Sequence, residues 1–227
     1  MSEPASIAQR LAEVEARITR AATEAGRARD DITLVTVTKT IGAARVREAM
    51  AAGATDLGEN RAQELVAKAG EIAEVPAGPA RWHFIGRLQR NKVKTLARLV
   101  DRWHSIDRVE LVDPLARHAP GARVLVEVNL SDEPQKGGCR PEDTSVLVDR
   151  LRGGGLVVDG LMTVPAAEGD PRPTFAALRE MGQSLGLSAL SMGMTGDFEA
   201  AIGEGATIVR IGSAIFGPRS GAAGLRR

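Results

Sequence analysis

The segment Val35-Thr36-Val37-Thr38-Lys39-Thr40 puts an amine at the end of an apolar, β-branched run. In a strand, Lys39 shares a face with Val35 and Val37. Partial desolvation there lowers a lysine from its unperturbed pKa of about 10.4 and favours the nucleophilic free amine. A lysine at a strand end can equally reach out to solvent. The chain has five lysines (39, 68, 92, 94 and 136) among 30 basic residues. Arginine replaces lysine in most surface roles but forms no Schiff base with an aldehyde, so this sparing use tilts Lys39 toward amine chemistry.

Two later segments suit an anion. Thr207-Ile-Val-Arg-Ile-Gly-Ser213 ends a β-branched run on a glycine and a hydroxyl, just before a short helical piece at Ala214-Ile215-Phe216. Leu190-Ser191-Met192-Gly193-Met194-Thr195-Gly196-Asp197 repeats the pattern. Glycine and hydroxyl residues opening a helix present free backbone N–H groups to a phosphate. The plain alternative at each place is an ordinary turn and cap. Arg210, inside an otherwise apolar strand, is either an inward-facing functional group or a side chain snorkelling outward past a helix.

Other candidates carry less. Gly58-Glu59-Asn60-Arg61 and Trp82-His83-Phe84-Ile85-Gly86 each end a strand-like segment. His83 between two aromatic residues reads as a hydrogen-bonded core histidine before it reads as an acid or base, and His104 and His118 have a weaker claim. Arg87, Arg90, Lys92 and Lys94 form a basic cluster that suits a solvated helix start. The loop from Asn129 to Gly138 is expected to lie over the site, Met192 and Met194 to pack, and Cys139 to be a bystander thiol.

The elements that must position these groups alternate. Ile7, Leu11, Val14 and Ile18 mark a first helix, and Gly26 a stop. Strand-like segments follow near 32–38, 55–58, 82–85, 103–106, 123–129, 157–162, 188–192 and 207–211. Helical patterns run over Val46–Ala52, Ala62–Ala69, Val93–Val100 and Phe175–Leu185. Eight strands alternating with helices predict an α/β fold, a single (β/α)8 TIM barrel, with a doubly wound open sheet as the alternative. In a barrel, reactive groups belong at the carboxyl ends of the strands, and phosphate after strands seven and eight. Too few residues follow the eighth strand for a full outer helix, so the N-terminal helix, within residues 1–27, is expected to cover that gap. No composition break appears, and residues 1–227 read as one domain with a tail over 218–227.

Composition bounds the function. The chain has 227 residues, 43% hydrophobic and 26% charged, with a net charge of +1. That balance attracts neither nucleic acid nor an anionic membrane. One cysteine closes no disulfide within the chain. The polar start is unlike a signal peptide, and no apolar run approaches the ~18 residues of a membrane span. A cytoplasmic protein is expected. There is no tyrosine, which removes one acid/base side chain from any mechanism.

Taken together, these segments resemble the pyridoxal phosphate homeostasis protein family, whose barrel is related to the N-terminal domain of alanine racemases. The resemblance rests on Val37-Thr38-Lys39-Thr40, Leu57-Gly58-Glu59-Asn60 with Gln63-Glu64, and Trp82-His83-Phe84-Ile85-Gly86 with Leu88-Gln89. It continues in His104-Ser105-Ile106-Asp107, Val126 to Asp132 with Lys136-Gly137-Gly138, and Gly160-Leu161-Met162. It closes with Leu190-Ser191-Met192-Gly193-Met194, Val209-Arg210-Ile211-Gly212 and Ala214-Ile215-Phe216-Gly217.

The resemblance implies that Lys39 holds pyridoxal 5′-phosphate (PLP) as a Schiff base. It implies that Ser191, Gly212 and Ser213 bind the phosphate with Met194 and Thr195 nearby, that Arg210 faces the ring nitrogen, and that Asn60 lines the pocket. Thr38 stands where the family usually has serine, and Arg87 where it often has proline. The implied role is PLP homeostasis, holding the cofactor and delivering it to apo-enzymes, and the small single-domain plan favours a monomer. The alternatives are a PLP-dependent amino-acid racemase and a barrel enzyme using Lys39 on a phosphosugar. Racemisation needs a base on each face of the substrate, and in alanine racemases the second is a tyrosine from another domain.

Overall fold

The computed structural model describes residues 5–73, 78–131, 133 and 135–218. The expectations placed on residues 1–4, on Asp132 and on the tail from 219 onward lie outside them.

Eight parallel strands pair in sequence order, and the last closes on the first. They are β1 (Thr33–Val37), β2 (Asp56–Glu59), β3 (Arg81–Phe84) and β4 (Val100–Ile106), then β5 (Arg123–Glu127), β6 (Val157–Met162), β7 (Ala189–Ser191) and β8 (Ile208–Ile211). Closure is a four-residue ladder from Thr33↔Ile208 to Thr36↔Ile211, which excludes the open sheet. All eight strands fall within the expected segments or within three residues of them.

The helices are α1 (Ile7–Glu24), α2 (Ala43–Ala51), α3 (Ala62–Ile72), α4 (Val93–Leu96) and α5 (Val112–His118), followed by α6 (Thr144–Gly153), α7 (Arg172–Ser184), α8 (Phe198–Gly203) and α9 (Ser213–Phe216). One expectation is corrected. The helical pattern read from Val93 to Val100 stops at Leu96, and Val100 already begins β4. Leu99 and Val100 continue an apolar spacing that fits either element, so periodicity alone misplaces the boundary.

Strand alternation divides the apolar residues into two cores. Outward positions such as Leu57, Trp82, Phe84 and Trp103 pack under the helices, whereas Val35, Leu125, Met162 and Ile208 fill the barrel. The inward rows also carry buried His83, His104, Ser191 and Arg210.

α1 does what the short C-terminal segment requires. Ser6 and Gln9 cap it reciprocally, and Ile7, Leu11, Val14 and Ile18 are buried. Its stripe packs on α8 and α9, the two short helices flanking β8. Arg17 pairs with Glu199 at 2.6 Å and lies over the Phe198 ring. Gly26 ends the helix with φ +67°, a conformation glycine adopts without steric cost. Among the described residues, no helix is long and apolar enough to cross a membrane, and no cluster of three metal-ligating side chains occurs.

Candidate cofactor site

A cleft of about 210 Å³ opens at the carboxyl ends of β1 and β8. Its walls include Val37 at the end of β1 and Lys39 just after it, Thr195 and Gly196 after β7, and Arg210, Gly212 and Ser213 at the end of β8. Six of the expected site residues therefore converge: Lys39, Met194, Thr195, Arg210, Gly212 and Ser213.

Lys39 is held from both sides along its backbone. The Thr38 carbonyl accepts from Lys68 Nζ at 2.6 Å, and the Thr38 hydroxyl donates to Glu59 Oε1 at 2.7 Å. The Thr40 N–H donates to Glu64 Oε2 at 2.8 Å. Thr40 has φ +65°, the one positive value for a non-glycine residue among those described. Such a conformation costs of order 1–2 kcal/mol and persists only where its surroundings enforce it. The turn carrying Lys39 is thus pinned by α3.

The two glycine-hydroxyl loops meet. Ser213 Oγ donates to Thr195 Oγ1 at 3.1 Å, so two hydroxyls face one side of the cleft. The turn after β7 needs Gly193, whose φ is +94° and whose Cβ would lie 2.6 Å from that of Ala201. Asp197 Oδ1 accepts from the Met194 N–H at 2.5 Å and fixes the same loop. Met194 sits at the rim, partly exposed.

Arg210 resolves to the inward reading. It is buried, donating through Nη1 to Ser191 Oγ at 2.7 Å and through Nη2 to the Thr163 carbonyl at 3.0 Å. Burial pushes its pKa down to about 10, against the pull of the Glu127 and Asp197 carboxylates. Glu127, at the end of β5, is pushed up to about 7 by burial and by the charge of Asp107, with Arg210 and Arg87 opposing.

Two expected residues stand elsewhere. Ser191 is wholly buried, its hydroxyl bonded to Arg210 and His104. As the last strand residue of β7 it obeys the pleat and points into the barrel, whereas Thr195, four residues on, supplies the loop hydroxyl. Asn60 follows β2 on the neighbouring loop, close against Gly86, where any Cβ would lie 2.2 Å from the Asn60 carbonyl oxygen. Its Oδ1 is buried with no hydrogen-bond partner among the described residues.

The remaining motifs find plain roles. The segment after β5 folds back on the strand ends, with Lys136 Nζ donating to the Pro165 carbonyl at 2.8 Å and to Glu133 at 2.7 Å. Cys139 is buried, which raises its thiol pKa, and lies 3.6 Å from Thr144 Oγ1. Exposed Arg87 comes within 3.9 Å of Asp107. The group that sequence reasoning undervalued is His104, fully buried and bonded to both His83 and Ser191. Its signal was parity: it occupies an inward position of β4, as Arg210 does on β8.

The family model of the alanine racemase N-terminal domain matches residues 10–220 of this closed eight-stranded barrel. Within that class the chain belongs to the pyridoxal phosphate homeostasis protein family. It is 44% identical over 224 residues to the Pseudomonas aeruginosa pyridoxal phosphate homeostasis protein, covering 94% of this chain and 96% of that one. The Escherichia coli K12 protein of the same name is 38% identical over 231 residues, at 94% and 97% coverage. The structure of PipY from Synechococcus elongatus with PLP bound superposes with a TM-score of 0.80 at 31% identity, covering 93% of this chain and all (100%) of that one.

Proposed function

We propose that the protein binds pyridoxal 5′-phosphate in the β1/β8 cleft and acts in its homeostasis, holding the reactive aldehyde and passing it to apo-enzymes. The observation that carries this reading is the convergence of the Lys39 amine, the Arg210 guanidinium and the Ser213–Thr195 hydroxyl pair on one small cleft. That donor set fits the cofactor group by group. The amine of Lys39 condenses reversibly with an aldehyde, and the hydroxyls and loop N–H groups take a phosphate. The unpaired Oδ1 of Asn60 offers one further polar contact at the same end of the barrel.

Bound PLP would supply an electrophilic aldehyde-derived carbon for exchange between amines and a conjugated ring. The residues decide how that ring is used. A buried guanidinium opposite the ring nitrogen disfavours protonation there and weakens the ring as an electron sink. That suits storage better than carbanion chemistry. Lys39 would hold the cofactor reversibly, because an imine exchanges with other amines. Monomeric action in the cytoplasm belongs to the same reading.

The test is spectroscopic. Protein incubated with PLP and desalted is expected to keep a visible absorption band that borohydride shifts, with peptide mapping placing the reduced adduct on Lys39. Equal retention and an identical band in Lys39→Ala would overturn the assignment.

A further inference from the structure

The barrel interior below the cleft contains polar side chains that cofactor binding does not use. Asp56 Oδ1 lies 2.9 Å from His83 Nε2, His83 Nδ1 lies 2.8 Å from His104 Nε2, and His104 Nδ1 lies 2.9 Å from Ser191 Oγ. Arg210 Nη1 donates to the same Ser191 oxygen at 2.7 Å. The path crosses the barrel from β2 through β3, β4 and β7 to β8, and all five side chains are buried.

The two ends fix every proton between them. Asp56 is a carboxylate: burial raises its pKa, but hydrogen bonds from His83 and Arg81 outweigh this and hold it well below the usual range. It accepts from Arg81 Nε at 2.9 Å and from Thr55 Oγ1 at 2.9 Å, so it is anchored at the amino-end rim. A carboxylate accepts only, so His83 Nε2 carries a proton. With that ring neutral, Nδ1 accepts from His104 Nε2–H, His104 Nδ1 accepts from the Ser191 hydroxyl, and Ser191 accepts from Arg210. A charged His83 would reverse the middle of the path. His104 would then donate to Ser191, which already accepts from Arg210, and the serine proton would lose its acceptor. His104 itself is held well below the usual imidazole range by burial, with the charges of Arg210 and Arg102 acting the same way.

We propose that Asp56, His83, His104 and Ser191 form one oriented chain of hydrogen bonds, with both imidazoles neutral and protonated at Nε2, and that this chain positions the Arg210 guanidinium against the cofactor ring. The last clause rests on the cofactor reading above, whereas the proton order does not. These four are positioning residues, acting through Arg210. The chain gives the guanidinium a fixed hydroxyl acceptor, so its direction does not rest on the Glu127 and Asp197 carboxylates alone. Arg210 stays aimed at the cleft and is not drawn into an ion pair that would turn it away.

Long-range proton–nitrogen correlation spectra of cofactor-free protein labelled in histidine read the tautomers directly, with exposed His118 as the reference for a solvated ring. Both His83 and His104 are expected as neutral Nε2–H rings. An Nδ1–H or cationic form of either overturns the proposal. Ser191→Ala is expected to shift the His104 nitrogen signals in the free protein and the visible band of the PLP-loaded protein, with Ser191→Thr restoring both. Unchanged His104 signals, or an unmoved band beside altered His104 signals, overturns the positioning role. Failure to take up PLP at all would instead sink the cofactor reading, while the tautomers are still decided on the free protein.

Discussion

Lys68 Nζ lies 2.5 Å from Glu59 Oε1, in a buried pair directly behind the turn that carries Lys39. Burial raises the Glu59 pKa, and the hydrogen bonds from Lys68 and Thr38 oppose it. The pair links α3 to the end of β2, and through the Thr38 carbonyl to the end of β1. Removing one member of a buried pair strands the other charge, at about 3–5 kcal/mol. Lys68→Met is therefore expected to lose about that much stability in urea unfolding. Glu59→Leu combined with Lys68→Met should lose far less. A loss in the double variant equal to the sum of the losses in Lys68→Met and Glu59→Leu alone would show that the charges are not coupled.

Glu127 makes stability depend on pH. Its folded pKa of about 7 stands above the ordinary 4.5, so between those values the folded protein binds the extra proton. Stability rises with pH only where the unfolded chain binds more protons, and here the reverse holds. The contribution is fully present below about 4.5 and is lost as pH rises through about 7. Glu127→Gln removes the slope and should exceed the wild type by about 1–3 kcal/mol near pH 8. Urea midpoints of cofactor-free protein at acidic and mildly alkaline pH check this, and parallel profiles for the two proteins would refute it.

The loop hydroxyls should discriminate ligands by their phosphate. Ser213→Ala or Thr195→Ala removes a hydrogen bond to a charged group, worth roughly 1.5–3 kcal/mol, or about ten- to a hundredfold in PLP affinity. Pyridoxal, which has the aldehyde and ring but no phosphate, should bind both variants as it binds the wild type. Titrations followed by absorbance measure both ligands. Losses of the same size for each would place the hydroxyls elsewhere in the site.

Racemisation should be negligible. With no tyrosine in the chain, the opposite-face base of the alanine racemases has no counterpart of the same type. PLP-loaded protein incubated with L- or D-alanine is expected to leave the configuration unchanged on chiral chromatography. Complete racemisation would overturn the storage reading.

The barrel was legible because short strand-like segments, some of them β-branched as in Thr33–Val37 and Ile208–Ile211, alternate with helical patterns, and because the apolar stripe of α1 keeps one period. Lys39 and Arg210 were legible for a related reason: each is a charge in a segment whose neighbours are apolar. What escaped was whatever depends on which strands face each other across the interior. His83, His104 and Asp56 lie far apart in sequence and meet only once the sheet has closed. Strand parity points Ser191 inward, but its bonds to His104 and Arg210 likewise appear only once the barrel is closed. The clamp of Glu64 on the Thr40 N–H was invisible for the opposite reason. It lies on the outer side of the barrel, where a glutamate in the first turn of a helix reads as routine.

The seating of α1 on α8 and α9 has a consequence for biosynthesis. During synthesis α1 meets α8 and α9 only after the eighth strand has emerged, roughly two hundred residues later, as a single-barrel chain requires. Until then Ile7, Leu11, Val14 and Ile18 form an apolar stripe without its native cover. Pairings between distant parts of a chain are slow to form, and exposed apolar surface invites association in the meantime. The nascent chain is thus a natural client for holdase chaperones, and joining the two ends in a circular permutant would relieve the delay.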